Sequence, residues 1–186
     1  MNNTQPTTLD LRRIADSQTV LLSLSGIVAI MLCTQVRVPL PFTPVPITGQ
    51  TFAVIAWPLL FGYRAGLGAV GGYLALGALG APVFAGFESL TALWGPTSGY
   101  LVGFALAAAL TGRLRDAGAT SSAAGLFLTI ISAQALILVC GAAVLSLFVG
   151  TDNSLMMGVA PFLAGDAIKT ALLFTMTRLS RWNATN

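Results

Sequence analysis

The sequence contains no histidine, and only 8% of its 186 residues are charged. The first absence removes the commonest metal ligand and the commonest general base near neutral pH. The second excludes an ordinary water-facing surface, because soluble domains carry about 25% Asp, Glu, Lys and Arg. Cysteine is limited to Cys33 and Cys140. Both sit in apolar runs without ligand spacing, so neither a disulfide framework nor a zinc site is supported. Gly-x-Ser-x-Gly is missing, and no serine has a histidine to activate it. That excludes a serine protease working inside the membrane. The expectation is a protein that is not an enzyme and carries no metal or cofactor.

What is present is apolar. Hydrophobic residues make up 55% of the chain and the mean hydropathy is +0.84. The length suits one domain. A net charge of +3 comes from nine basic residues scattered among apolar runs, which is no nucleic-acid footprint. Asp10, Arg12, Arg13 and Asp16 precede the first apolar run, and no cleavage site follows closely. The first run is therefore expected to stay in the membrane as a helix.

A helix crossing the hydrocarbon core needs about 20 apolar residues. Thr19 to Val36, Gly99 to Gly112, Ser122 to Val149 and Ala160 to Leu179 each provide a span. Thr51 to Leu79 is too long for one span and a little short for two. Charge decides its reading, since Lys and Arg concentrate on the cytoplasmic side. If that tract turns at Phe61-Gly62-Tyr63-Arg64, then Arg12, Arg13, Arg64, Arg113, Arg115, Arg178 and Arg181 share one side. Only Arg37 falls near a helix end on the other. The expected architecture is all-α: a six-helix multi-pass bundle over residues 19–179 in a prokaryotic-type cytoplasmic membrane. Cytoplasmic tails are expected at 1–18 and 180–186. Outer loops are expected at Arg37 to Gln50, Gly80 to Gly95 and, briefly, Gly150 to Ser154. The first contains Pro39, Pro41, Pro44 and Pro46, so it should be stiff and extended, either a pre-shaped lid or a plain connector.

Asp166 and Lys169, the only lysine, lie in the last span. Each ionised group near a helix centre costs about 2.5–3.5 kcal/mol on insertion scales, and such residues usually line a substrate or ion path. Their i, i+3 spacing places them on one helix face. An ion pair serving only helix packing is the alternative, but buried pairs contribute little net stability. The segment Gly165-Asp166-Ala167-Ile168-Lys169-Thr170 superficially resembles a phosphate loop, yet that motif needs glycine directly before the lysine. No ATP site is expected in this chain. Ser25, Ala29 and Cys33 form a row of small residues at four-residue spacing. Such a row permits close helix approach, within the bundle or to a partner.

Four segments resemble BioY proteins, the biotin-specific substrate-binding components of energy-coupling-factor transporters. They are Pro41-Phe42-Thr43-Pro44-Val45-Pro46-Ile47-Thr48-Gly49-Gln50, the stretch Gly77 to Gly86, the stretch Gly95 to Phe104, and Pro161 to Lys169. The resemblance spans about Thr19 to Leu179. It implies high-affinity capture of biotin from outside, with a transmembrane coupling subunit and ATPase subunits as partners beside membrane lipid. A homo-oligomer is left open. Biotin offers ureido donors and an acceptor, an apolar bicycle and tail, and a carboxylate. Asp166 and Lys169 are the expected ureido partners, although the reverse orientation stays open. Thr43, Gln50 and Tyr100 are expected to add polar contacts; Phe42, Phe84 and Trp94 would cover ring and tail, and Gly86 is a further expected substrate-binding residue. Capture of another vitamin, such as thiamine or riboflavin, or proton-coupled carriage with Asp166 as relay, are the competing functions.

Overall fold

The computed structural model describes residues 8–185, with side chains over 16–180. In chain order, helix α1 (Thr8–Gln35) is followed by strands β1 (Arg37–Val38) and β2 (Ile47–Thr48). Helices α2 (Gln50–Ala78), α3 (Leu90–Trp94), α4 (Ser98–Asp116), α5 (Ala123–Val149), α6 (Thr151–Gly158) and α7 (Ala160–Thr185) complete the chain. α1 and α7 run past the expected span ends, carrying helix into stretches expected as tails.

The expected turn inside the second apolar tract is present. Gly62 adopts φ 86° and ψ −179°, a region essentially open only to glycine. A continuous helix would separate Gln50 and Tyr73 by about 35 Å; their side chains are instead hydrogen-bonded, with Gln50 Nε2 2.5 Å from Tyr73 Oη. α2 is therefore two antiparallel arms, 50–61 and 63–78. The arms touch at Gly66, where an added Cβ would lie 2.6 Å from the Pro58 Cα. The turn frees backbone groups that α4 satisfies. Tyr63 N donates to Asp116 Oδ2 at 3.0 Å, and Arg115 Nη2 donates to the Leu60 carbonyl at 3.1 Å. Arg113 lies 5.1 Å from the Tyr63 ring centroid. Three arginines, Arg64, Arg113 and Arg115, thus gather at one end of the bundle.

Four stretches are long and apolar enough to cross a membrane: α1 from Asp16, α2, α5, and α6 with α7. With α2 folded double and α4 beside it, the chain makes the six passes expected of this all-α membrane protein. α2 lies at the centre; its most apolar window is 61% buried, against 17% for α1. α1 leans on it where Gly26 faces Ala69 and Trp57, and Trp57 Nε1 donates to the Leu22 carbonyl at 2.7 Å.

The outer end departs from expectation in two places. The proline loop is not wholly irregular: Arg37 pairs with Thr48 and Val38 with Ile47, antiparallel, closing residues 39–46 into a tight flap. The pairing is possible because the prolines fall between the strands, where no ladder donor is required. The last outer connection is longer than Gly150 to Ser154, since Thr151–Gly158 forms α6. Its polar opening, Thr151-Asp152-Asn153-Ser154, hides a short helix from a hydropathy reading.

Candidate ligand-binding site

Beneath the flap lies a cavity of about 410 Å³, within the range usual for small-molecule sites. The flap and its hinge contribute Arg37, Pro39, Leu40, Thr43, Pro44, Val45, Pro46 and Thr48. The start of α2 contributes Gln50 and Thr51, and the 79–97 connection contributes Phe84, Ala85, Glu88, Thr91, Ala92, Gly95, Pro96 and Thr97. Tyr100, Leu101 and Phe104 come from α4, Ile137 and Leu138 from α5, and Phe162, Asp166 and Lys169 from α7. The lining is mainly apolar with a few converging polar groups, as expected for recognition of a small organic molecule.

Asp166 and Lys169 stand at the α7 wall. Lys169 Nζ is 3.2 Å from Asp166 Oδ1, with both side chains largely buried. Lys169 also donates to Thr51 Oγ1 at 2.6 Å. Two of its three N–H directions are thereby committed, and one is left for a guest. Asp166 Oδ2 accepts from no described residue, so the pair presents one acceptor and one donor together. Behind them, Gln134 Nε2 donates to the Asp166 main-chain carbonyl at 3.1 Å. The Thr170 hydroxyl lies 2.8 Å from Gln134 Oε1 and 2.7 Å from that same carbonyl, so its single proton serves one or is shared.

The other expected polar contacts line the cavity, and each also has a partner within the protein. Gln50 donates to Tyr73 Oη, which leaves the Tyr73 proton for Thr34 Oγ1 at 3.1 Å; Thr34 in turn donates to the Ile30 carbonyl at 2.7 Å. Thr48 Oγ1 donates to Gln50 Oε1 at 3.0 Å. Thr43 Oγ1 accepts from Val45 N at 3.2 Å, which shapes the flap. The Tyr100 ring lines the cavity while its hydroxyl donates to the Gly158 carbonyl at 2.7 Å. These groups shape the walls.

Among the expected aromatics, Phe84 is 2% exposed and packs edge-on against Tyr73, with ring centroids 5.3 Å apart. Phe42 and Trp94, expected to cover the ligand, lie outside the lining and are 54% and 83% exposed. Phe42 lies in the turn of the flap and Trp94 ends the five-residue helix α3, too short for a spacing rule to predict its side-chain direction. Gly86 is not a lining residue either; at φ 78° it lies against the Arg37 guanidinium. Ser25, Ala29 and Cys33 sit on α1 away from the cavity, Ser25 exposed and the other two half-buried. Sequence reasoning missed Arg37, Thr51, Glu88 and Phe162 as lining residues. Arg37 carried a signal, being the basic residue that breaks the one-sided charge pattern.

Comparison with known proteins follows the same lines. The sequence matches the BioY family over residues 3–185. It is 36% identical over 129 residues to a probable biotin transporter BioY of Pyrococcus horikoshii, covering 69% of this chain and 75% of that one. Identity to the biotin transporter BioY of Thermotoga maritima is 35% over 147 residues, covering 78% and 86% of the two chains. The fold superposes on a crystal structure of the S-component for biotin from an ECF-type ABC transporter. That match has a TM-score of 0.81 and 25% identity, and covers 95% of each chain.

Proposed function

The chain belongs to the BioY family, and from that membership we propose that it captures biotin at the outer face of the membrane for uptake, as the substrate-binding component of an ECF-type transporter. The observation that carries the site is the Asp166–Lys169 couple, 3.2 Å apart and facing a cavity of suitable size. A ureido group has N–H donors beside a carbonyl acceptor. Asp166 Oδ2 accepts from the ring N–H, and the remaining Lys169 proton goes to the ring oxygen. Charge-assisted bonds of this type are about twice as strong as neutral ones. Phe84, Leu101, Phe104, Ile137 and Phe162 supply apolar contact for the bicycle and tail.

The chain captures; a coupling subunit with its ATPases drives release, and the Ser25, Ala29 and Cys33 row on α1 is the helix face offered to it. Titration of purified protein with radiolabelled biotin tests the site. Asp166→Asn and Lys169→Ala should each weaken binding at least tenfold while the protein still inserts. Unchanged affinity in both variants sinks the assignment.

A further inference from the structure

The connection between the second arm of α2 and α4, residues 79–97, has two unlike sides. Its inner side belongs to the cavity, where Phe84, Thr91 and Ala92 are part of the lining. Its outer side carries Phe87, Leu90 and Trp94, all exposed, Phe87 to 69%. The turn over 84–88 sends its two aromatics opposite ways. Phe84 N donates to the Glu88 carbonyl and Phe87 N to the Phe84 carbonyl, each at 3.0 Å. Gly86 and Phe87 are both left-handed there, at φ 78° and 62°. A bulky residue rarely takes that conformation and keeps it only where its surroundings hold it. Phe87 keeps it while most of its surface is left uncovered by the protein.

We propose that this outer side lies in the interfacial layer of the outer leaflet, so that the bilayer holds the connection in place as a lid on the cavity. Three observations point to lipid as what covers it. Glu88 is the only charged residue among 79–97, whereas a segment of that length bathed in water would carry about five. Trp94 is of the residue type that settles at headgroup depth, its ring against the chains and its indole N–H toward water. The exposed side also continues surfaces that lipid already covers. Leu76 and Leu79 lead into it from α2, and Val102 and Leu106 lead away from it on α4, all exposed on passes of the bundle. Nothing in this depends on which molecule the cavity takes.

Trp94 is its own probe. Wild type and Trp94→Phe are reconstituted in phosphatidylcholine nanodiscs, and the difference in their fluorescence isolates Trp94 from Trp57 and Trp182. A nitroxide on the lipid headgroup should quench most of that difference, and aqueous iodide little of it. Quenching by iodide alone would put Trp94 in water, and quenching by neither would put it under protein; each overturns the proposal. The hold on the lid is read by amide exchange in the same nanodiscs. Leu90→Gln with Trp94→Gln, which leaves the 84–88 turn intact, should quicken exchange across 84–94 and leave α5 unchanged. The expected factor is about tenfold or more, the worth of burying one large apolar side chain. Unchanged exchange would leave an interfacial tryptophan without a lid held by lipid, and that also overturns the proposal. No biotin enters either measurement, so failure here leaves the binding assignment untouched.

Discussion

Gln134, on α5, donates a hydrogen bond to the main-chain carbonyl of Asp166 on α7, 3.1 Å away, and Thr170 closes the triangle. All three residues are buried. The bond fixes the rotation of α7 about its own axis at the level where Asp166 and Lys169 face the cavity. Interhelical hydrogen bonds in membranes average only about 0.6 kcal/mol. Its consequence should therefore be read in ligand geometry more than in fold stability. Gln134→Leu is expected to lower biotin affinity about three- to tenfold with a small change in thermal stability. Thr170→Ser should bind normally, whereas Thr170→Val should follow Gln134→Leu; titration of the three variants checks it.

The chain of donors from Gln50 through Tyr73 and Thr34 to the Ile30 carbonyl ties α1 to both arms of α2. Tyr73→Phe removes the central link and leaves the Gln50 amide without its acceptor. A buried unsatisfied group costs about 1–3 kcal/mol. Thermal unfolding in detergent should register that loss, and Gln50→Leu added to Tyr73→Phe should recover part of it. An additive double variant would refute the coupling.

Tyr100 meets the cavity with its ring and α6 with its hydroxyl. Tyr100→Phe should leave biotin affinity within about threefold, since the lost bond is worth roughly 1 kcal/mol and lies at Gly158. Amide exchange should quicken around 150–160, where α6 meets α7. A large loss of affinity with unchanged exchange would instead place the hydroxyl on the ligand.

Two glycines of α2 separate packing from composition. At Gly66 an added Cβ meets the Pro58 backbone of the facing arm, which cannot yield; at Gly71 nothing lies within 4 Å. Gly66→Val should prevent close approach of the arms and abolish stable insertion. Gly71→Ala should be neutral or stabilise by up to about 1 kcal/mol through helix propensity. Yield of monodisperse protein and its unfolding temperature discriminate the two.

The passes of the bundle and the Asp166–Lys169 couple were legible without coordinates. Both follow from local rules: the cost of charge in hydrocarbon, the length of a crossing helix, and the i, i+3 spacing. The turn at Gly62 was legible too, since the tract is too long for one span and a turn there puts Arg64 on the side of the other arginines. α6 was not, because a two-turn helix opening on Thr151-Asp152-Asn153 has the composition of a loop. The flap strands were hidden too: two-residue pairing depends on Thr48 returning to Arg37, not on propensity.

Residue types alone decided that this is a membrane bundle holding a polar couple in its last helix, because hydropathy and helical period act within one segment. Only the assembled bundle decided how the polar groups around the cavity are partnered. Gln50, Thr43 and Tyr100 all face the cavity, yet each found a partner in the protein, two of them far away in the chain. A hydroxyl or an amide bonds whatever the fold brings to about 3 Å. Arg37 joins the lining through the pairing of its strand with Thr48, and Phe42 and Trp94 are left exposed. Such outcomes depend on contacts between distant segments, which no pattern within one segment encodes.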